Sequence, residues 1–252
     1  MGGRLQGHSA IVTGSGQNIG RAIAMLFAAE GAAVTVNGHR DRAKVDTVVG
    51  EITAAGGKAI GVMADVSDPE QVRALVEETV ERLGGVDIAV SNVGRRLRQS
   101  FEEISIEDWV STINHNLNSA FYMAHYVLPR MRRQGWGRVI NISGYDGVTG
   151  HMAERAHNVT AKAGMHGLSK AIAREYGVHG VTCNTVFPGA IATVRDLTQY
   201  AHINRQAVLD RLAIKHAGSV EDVAEACLYL AGDSGKFVTG QSIHVNGGEF
   251  MF

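Results

Sequence analysis

Thr13-Gly14-Ser15-Gly16-Gln17-Asn18-Ile19-Gly20 is the first segment whose residue types and spacing can do chemistry. Its glycines let the backbone turn tightly and approach a pyrophosphate. A helix starting there presents free N–H groups and the positive end of its dipole. Far along the chain, Thr160-Ala161-Lys162-Ala163-Gly164 carries a lysine at helical spacing from Asn158, one turn earlier. Asn114-His115-Asn116-Leu117-Asn118 places four polar side chains in an otherwise core-like helix. Possible proton carriers gather between them: Tyr145, Asp146, His151, Glu154 and His157. Imidazole titrates near neutrality, whereas a carboxamide only donates and accepts hydrogen bonds.

The elements that must position these residues alternate strand and helix. Strands are expected at Ser9–Thr13, Ala33–Asn37, Ala59–Met63, Ile88–Ser91, Arg138–Ile142, Val181–Val186 and Ser242–Val245. Helices are expected after residue 18 and over 42–55, from Pro69, over 106–133, 155–176 and 220–231, with a helical excursion at 194–216. Strands joined by helices of this length make a parallel sheet covered on both faces. The expected class is α/β: a Rossmann fold with a doubly wound seven-stranded parallel sheet, which binds ligands at the carboxyl ends of its strands. The glycine turn follows the first strand and opens an amphipathic helix, the context a dinucleotide requires.

Composition narrows the function. The chain has 252 residues, 45% hydrophobic and 19% charged, with formal net charge -1. We expect one domain over 1–252. No basic field argues for nucleic acid, and no apolar run reaches membrane-spanning length. The N-terminus lacks the apolar region of a signal peptide, and Cys183 and Cys227 form neither a disulfide framework nor a zinc motif. The expected setting is cytoplasmic, with no metal site.

Several motifs in order resemble the short-chain dehydrogenase/reductase family over residues 5 to 249, especially its 3-oxoacyl-[acyl-carrier-protein] reductase-like members. The turn T-G-S-G-Q-N-I-G resembles that family's T-G-x-x-x-G-x-G, with Asn18 at the middle glycine. The resemblance implies cofactor contacts from Gly14, Ser15, Gly16, Asn18, Ile19 and Gly20. Asp65-Val66 is similar to the family's adenine contact, and Ser91-Asn92-Val93-Gly94 to the segment that ends its fourth strand. Pro188-Gly189, with Ile191 and Thr193, resembles the nicotinamide-side loop. Thr239-Gly240-Gln241 through Asn246-Gly247-Gly248 resembles the C-terminal signature. By the same resemblance, residues 194–216 cover the substrate.

Cofactor choice can be argued physically. No carboxylate ends the second strand; Asn37-Gly38-His39-Arg40 stands there, with Arg42 and Lys44 following. His39 and Arg40 favour a 2′-phosphate, hence NADP(H) over NAD(H).

The resemblance implies a catalytic Asn, Ser, Tyr and Lys. Asn116 and Lys162 match. Asn158 stands at the tyrosine position and Gly144 at the serine position, with Ser143 and Tyr145 beside it. On a helix, positions 158 and 162 lie about 40° apart but 157 and 162 about 140° apart, so His157 faces elsewhere. Tyr145 is the preferred replacement acid. Three readings remain open: an NADP(H)-dependent oxidoreductase acting on a carbonyl or secondary alcohol; a nucleotide-binding sensor without turnover; and a lyase or hydrolase using His151 or His157. The expected partners are a small-molecule substrate and further copies of the chain, as homotetramer or homodimer. Leu117, Ala120, Phe121, Ala124 and Leu128 would supply one face, and the tail Phe250-Met251-Phe252 a second.

Overall fold

The computed structural model describes residues 3–150, 152–194 and 205–251. Seven strands form one sheet in the order β3-β2-β1-β4-β5-β6-β7. They are β1 (Ser9–Val12), β2 (Ala33–Gly38), β3 (Lys58–Met63), β4 (Ile88–Ser91), β5 (Gly137–Ile142), β6 (Val181–Pro188) and β7 (Ser242–Val245). Every pairing is parallel. The strand order reverses direction at β1, between β2 and β4, and a crevice opens there at the carboxyl ends.

Successive strand residues face opposite layers. Ala10 and Val12 enter a core with α1 (Asn18–Ala29), α2 (Arg42–Ala54) and α9 (Val220–Ala231). Ile11 enters the opposite core with α3 (Pro69–Leu83), α5 (Ser119–Gln134) and α7 (Ala156–Tyr176). Pro69 occupies the first turn of α3, as read from the sequence; Asp68 caps the helix by accepting from the amides of Glu70 and Gln71, and Gly84 stops it at φ 92°.

Three expectations need correction. The helix expected over 106–133 is α4 (Ile106–Ile113), a π-helical turn over Asn114–Asn118, and then α5. The Ser119 hydroxyl competes there for the His115 carbonyl at 2.6 Å, and Asn114 reaches out of the helix to the Ser67 carbonyl at 2.7 Å. A short helix not anticipated, α6 (Asp146–Thr149), precedes α7. Of the apolar residues assigned to an intermolecular face, Ala120, Ala124 and Leu128 are buried in the chain's own core, and Phe121 is half exposed. They follow the stripe that packs α5 onto the sheet.

Of the excursion expected at 194–216, α8 (Arg205–Arg211) is helical. The expectations placed on Tyr200, His202, Asn204, His151 and Phe252 lie outside the described residues. Among the described residues, no helix is long and apolar enough to cross a membrane.

Candidate active site

The site is built at the carboxyl ends of β1, β4, β5 and β6. The glycine turn comes first. Gly14 adopts φ 60° and Asn18 φ 50°, both in the left-handed region. Gly20 is required by space. A Cβ there would stand 2.5 Å from the Gly14 carbonyl oxygen and 2.7 Å from Asn92 Nδ2. Ser15 is fully buried; its amide donates to the Asn37 carbonyl and its hydroxyl to that of Val12 at 2.7 Å. Ser15 therefore builds the turn through groups already engaged. Gly16 lies against Lys44, and Ile19 is half-buried against the core.

Two asparagines hold this turn. Asn92 donates through Nδ2 to the carbonyls of Thr13 and Gly14, at 3.0 and 3.3 Å, and its amide donates to Thr13 Oγ1 at 2.9 Å. Asn37, buried in β2, accepts from the Gly14 amide at 3.2 Å and donates to the carbonyls of Gly38, Val62 and Ala64. The sequence reading missed Asn37 as a builder; a lone amide inside a β-branched strand was the available signal. No side chain caps α1, so its first-turn N–H groups face the crevice without a protein partner from the cap, as an anion site requires.

At the end of β2 the basic residues divide. Arg42 pairs with Asp46 at 2.8 Å, and Lys44 with Asp41 at 3.4 Å and Gln17 at 3.1 Å. Arg40 is exposed and makes no hydrogen bond or ion pair among the described residues. His39 Nε2 lies 3.6 Å from Asp65. Partial burial raises the pKa of Asp65, but bonds from the Ser67 hydroxyl and amide and the charges of His39 and His115 outweigh it, leaving the carboxyl low. Val66 is buried beside it.

Three of the catalytic candidates, Asn116, Asn158 and Lys162, meet around Gly94 and Arg95. A Cβ on Gly94 would stand 3.6 Å from Lys162 Nζ and 3.7 Å from Asn116 Oδ1. Asn116 accepts from the Arg95 amide at 2.6 Å and donates to its carbonyl at 2.9 Å. Asn158 donates to the same carbonyl at 3.0 Å. The π-helical turn carries Asn116 inward to make this pairing. Lys162, one turn after Asn158, is buried and donates to the Ile142 carbonyl at 2.9 Å. Burial, helped by the charge of Arg96, brings its pKa down to about 7.

Ser143 is buried with its hydroxyl on the Lys162 carbonyl at 3.2 Å, so it ties β5 to α7. Tyr145 begins α6, and its ring lies 5.1 Å from that of Phe250. Burial first, then the charges of Glu249 and Asp146, push its phenol up to about 12. Behind it, Arg155 and Asp146 form a buried ion pair at 3.1 Å. His157 is fully buried, its pKa lowered by burial and the charge of Arg95 despite the Arg155 carbonyl and Asp108.

The nicotinamide-side loop follows β6. Pro188 pairs with Val245, and Gly189 packs on Asn246, where a Cβ would come within 2.6 Å of its Cα. Ile191 is buried and bridges Gly218, and Thr193 is partly buried beyond it.

Comparisons with known proteins bear on this arrangement. Residues 14–249 match a family model described as enoyl-(acyl carrier protein) reductase. The chain is 36% identical over 244 residues to a 3-oxoacyl-[acyl-carrier-protein] reductase of Staphylococcus aureus, covering 96% of this chain and 98% of the relative. It is similar in structure to a short-chain dehydrogenase/reductase of Burkholderia xenovorans, with TM-score 0.91, 38% identity and 98% of each chain covered. It is also similar to a short-chain dehydrogenase of Burkholderia cenocepacia in complex with NADP, with TM-score 0.89 and 31% identity over 98% of this chain and 99% of that one.

Proposed function

The chain belongs to the short-chain dehydrogenase/reductase family of oxidoreductases, and on that premise we propose that it is an NADP(H)-dependent carbonyl reductase in which Asn158 takes the place of the family's tyrosine. The observation that carries the cofactor part is the cradle: an uncapped α1 behind a turn that has no room for a Cβ at Gly20, with one unpaired guanidinium, Arg40, at the far end. Gly14, Gly16, Asn18, Ile19 and Gly20 would hold the pyrophosphate, with Ser15 shaping the turn. Asp65 and Val66 would hold the adenine end, and His39 and Arg40 the 2′-phosphate. Asn92, Gly94, Lys162, Pro188, Gly189, Ile191 and Thr193 would hold the nicotinamide end. The bound nicotinamide supplies the hydride.

The chain's own residues handle the proton and the substrate, which we take to be a small molecule bearing a carbonyl. Asn158, fixed by the Arg95 carbonyl, presents a carboxamide that orients that carbonyl. Asn116, on the same backbone group, orders water. Ser143 fixes the backbone on which Lys162 sits. Tyr145 is the proton donor. Its raised pKa keeps the phenol protonated at neutral pH, and a developing alkoxide is more basic than a phenolate, so donation runs downhill.

The test is nucleotide binding followed by turnover on a carbonyl panel for the wild type, Tyr145→Phe and Asn158→Tyr. We expect wild-type reduction and a loss of about 100-fold or more in Tyr145→Phe, the scale of a lost general acid. A wild type that binds NADPH but stays inert, with turnover appearing in Asn158→Tyr, would make the chain a nucleotide sensor instead. Binding of neither nucleotide would overturn the cofactor assignment.

We also propose that the chain assembles as a homotetramer or homodimer, through a face that includes Ile106, Val110 and Phe121. These side chains are 75%, 58% and 49% exposed, and Ile106 and Val110 share one side of α4. A monomer mass by light scattering at micromolar concentration refutes it.

A further inference from the structure

Asn18 does more than tolerate a left-handed backbone. Its carboxamide makes two hydrogen bonds to a single residue 176 positions away: Nδ2 donates to the Val194 carbonyl at 3.1 Å, and Oδ1 accepts from the Val194 amide at 2.9 Å. The pairing imitates one rung of a β-ladder, with a side-chain amide standing in for a peptide. Only a side chain with donor and acceptor in one plane can do this. Glycine is the residue best suited to φ 50°, and it would leave both Val194 groups to water.

The place of this rung gives it a consequence. Residues 189–194 leave the sheet at the end of β6, where the Gly189 amide donates to Val245 and Ile191 bridges Gly218. They finish against the first residue of α1, which follows β1. In the strand order, β6 lies three places from β1, about 14 Å at the usual strand spacing. Six extended residues reach about 20 Å. The segment therefore crosses the mouth of the crevice, fastened on the β6 side by Gly218 and on the other by Asn18.

We infer that Asn18 is a positioning residue whose carboxamide straps residues 189–194 across the pyrophosphate site, so that NADP(H) leaves only when the Asn18–Val194 pair opens. This rests on the nucleotide cradle proposed above. The strap holds the cofactor without touching the reacting atoms. It predicts a change in nucleotide dissociation and leaves the chemical step to Tyr145, Asn158 and Lys162.

The test uses the full chain and Asn18→Gly, a substitution that suits the positive φ and preserves the fold. Hydrogen exchange of the Val194 amide, followed without nucleotide, should accelerate about 10-fold on losing its acceptor. Stopped-flow dissociation of NADPH should accelerate by roughly 3- to 30-fold, the range expected for one or two lost hydrogen bonds. Arg40→Ala is the control: it should weaken NADPH binding while leaving Val194 exchange unchanged. An NADPH dissociation rate in Asn18→Gly equal to that of the wild type overturns the inference. Failure of the wild type to bind NADPH overturns the proposed function instead, and that is seen before any variant is made.

Discussion

Replacing Lys162 by Met should change the sign of its effect on stability with pH. Lys162 is buried, its ammonium has one carbonyl partner at 2.9 Å, and burial takes its pKa from 10.5 to about 7. Below pH 7 both the folded and unfolded chains hold the proton, and the fold carries a buried charge at full cost. Between pH 7 and 10.5 the unfolded chain keeps the proton and the folded chain releases it, so stability rises with pH by about 1.4 kcal/mol per unit. Over the whole window this amounts to about 5 kcal/mol. Methionine fills similar space without charge but leaves the Ile142 carbonyl unbonded, at a cost of about 1 kcal/mol. Lys162→Met should therefore be more stable than the wild type by about 3 to 4 kcal/mol at pH 6, and less stable by about 1 kcal/mol near pH 10.5. Urea denaturation of both proteins at pH 6, 8 and 10, without nucleotide and at one protein concentration, reads this directly. Cys183, pushed up to about 12 by burial, and Cys227, raised by the same cause, act in the opposite sense above pH 9. They are common to both proteins and cancel in the difference. A difference that stays constant from pH 6 to 10 refutes the reasoning.

Two further outcomes follow from the cradle. Arg40→Ala should weaken NADPH binding about 10- to 100-fold, the scale of a lost charge-assisted contact, and leave NADH binding unchanged in fluorescence titration; equal losses for both nucleotides would remove Arg40 from the 2′-phosphate site. Gly20→Ala drives a Cβ to 2.5 Å from the Gly14 carbonyl oxygen and 2.7 Å from Asn92 Nδ2, so it should abolish nucleotide binding and lower stability by about 1 to 3 kcal/mol, as read from binding titration and thermal melts.

Much of the fold was legible because the signals were local. Apolar runs bounded by glycine marked the strands, and 3.6-residue periodicity marked the helices. What escaped depends on backbone groups and long range. Asn116 and Asn158 meet at the Arg95 carbonyl, and a carbonyl has no signature in a sequence. The π-helical turn is accompanied by bonds from Asn114 to the Ser67 carbonyl and from Ser119 to that of His115, yet its residues fit a helical pattern equally well. Ser143 stands beside the family's serine position, but its hydroxyl is engaged by the backbone of α7. Ala120, Ala124 and Leu128 read as an intermolecular stripe because a sequence shows that a face is apolar without showing what covers it.

The pairing of β1 with β4 also bears on how the chain acquires its site. Thr13 bonds to Val90 across 77 residues, and Asn92 then fastens the turn that would cradle the phosphates. Closing so large a loop costs entropy before any contact repays it, and a wholly parallel sheet offers no hairpin to begin from. A nascent chain that has not yet delivered residue 92 has the glycine turn but not the clamp that sets its shape. Nucleotide binding should therefore switch on in refolding only after β1 and β4 have joined, later than the glycine turn itself can form.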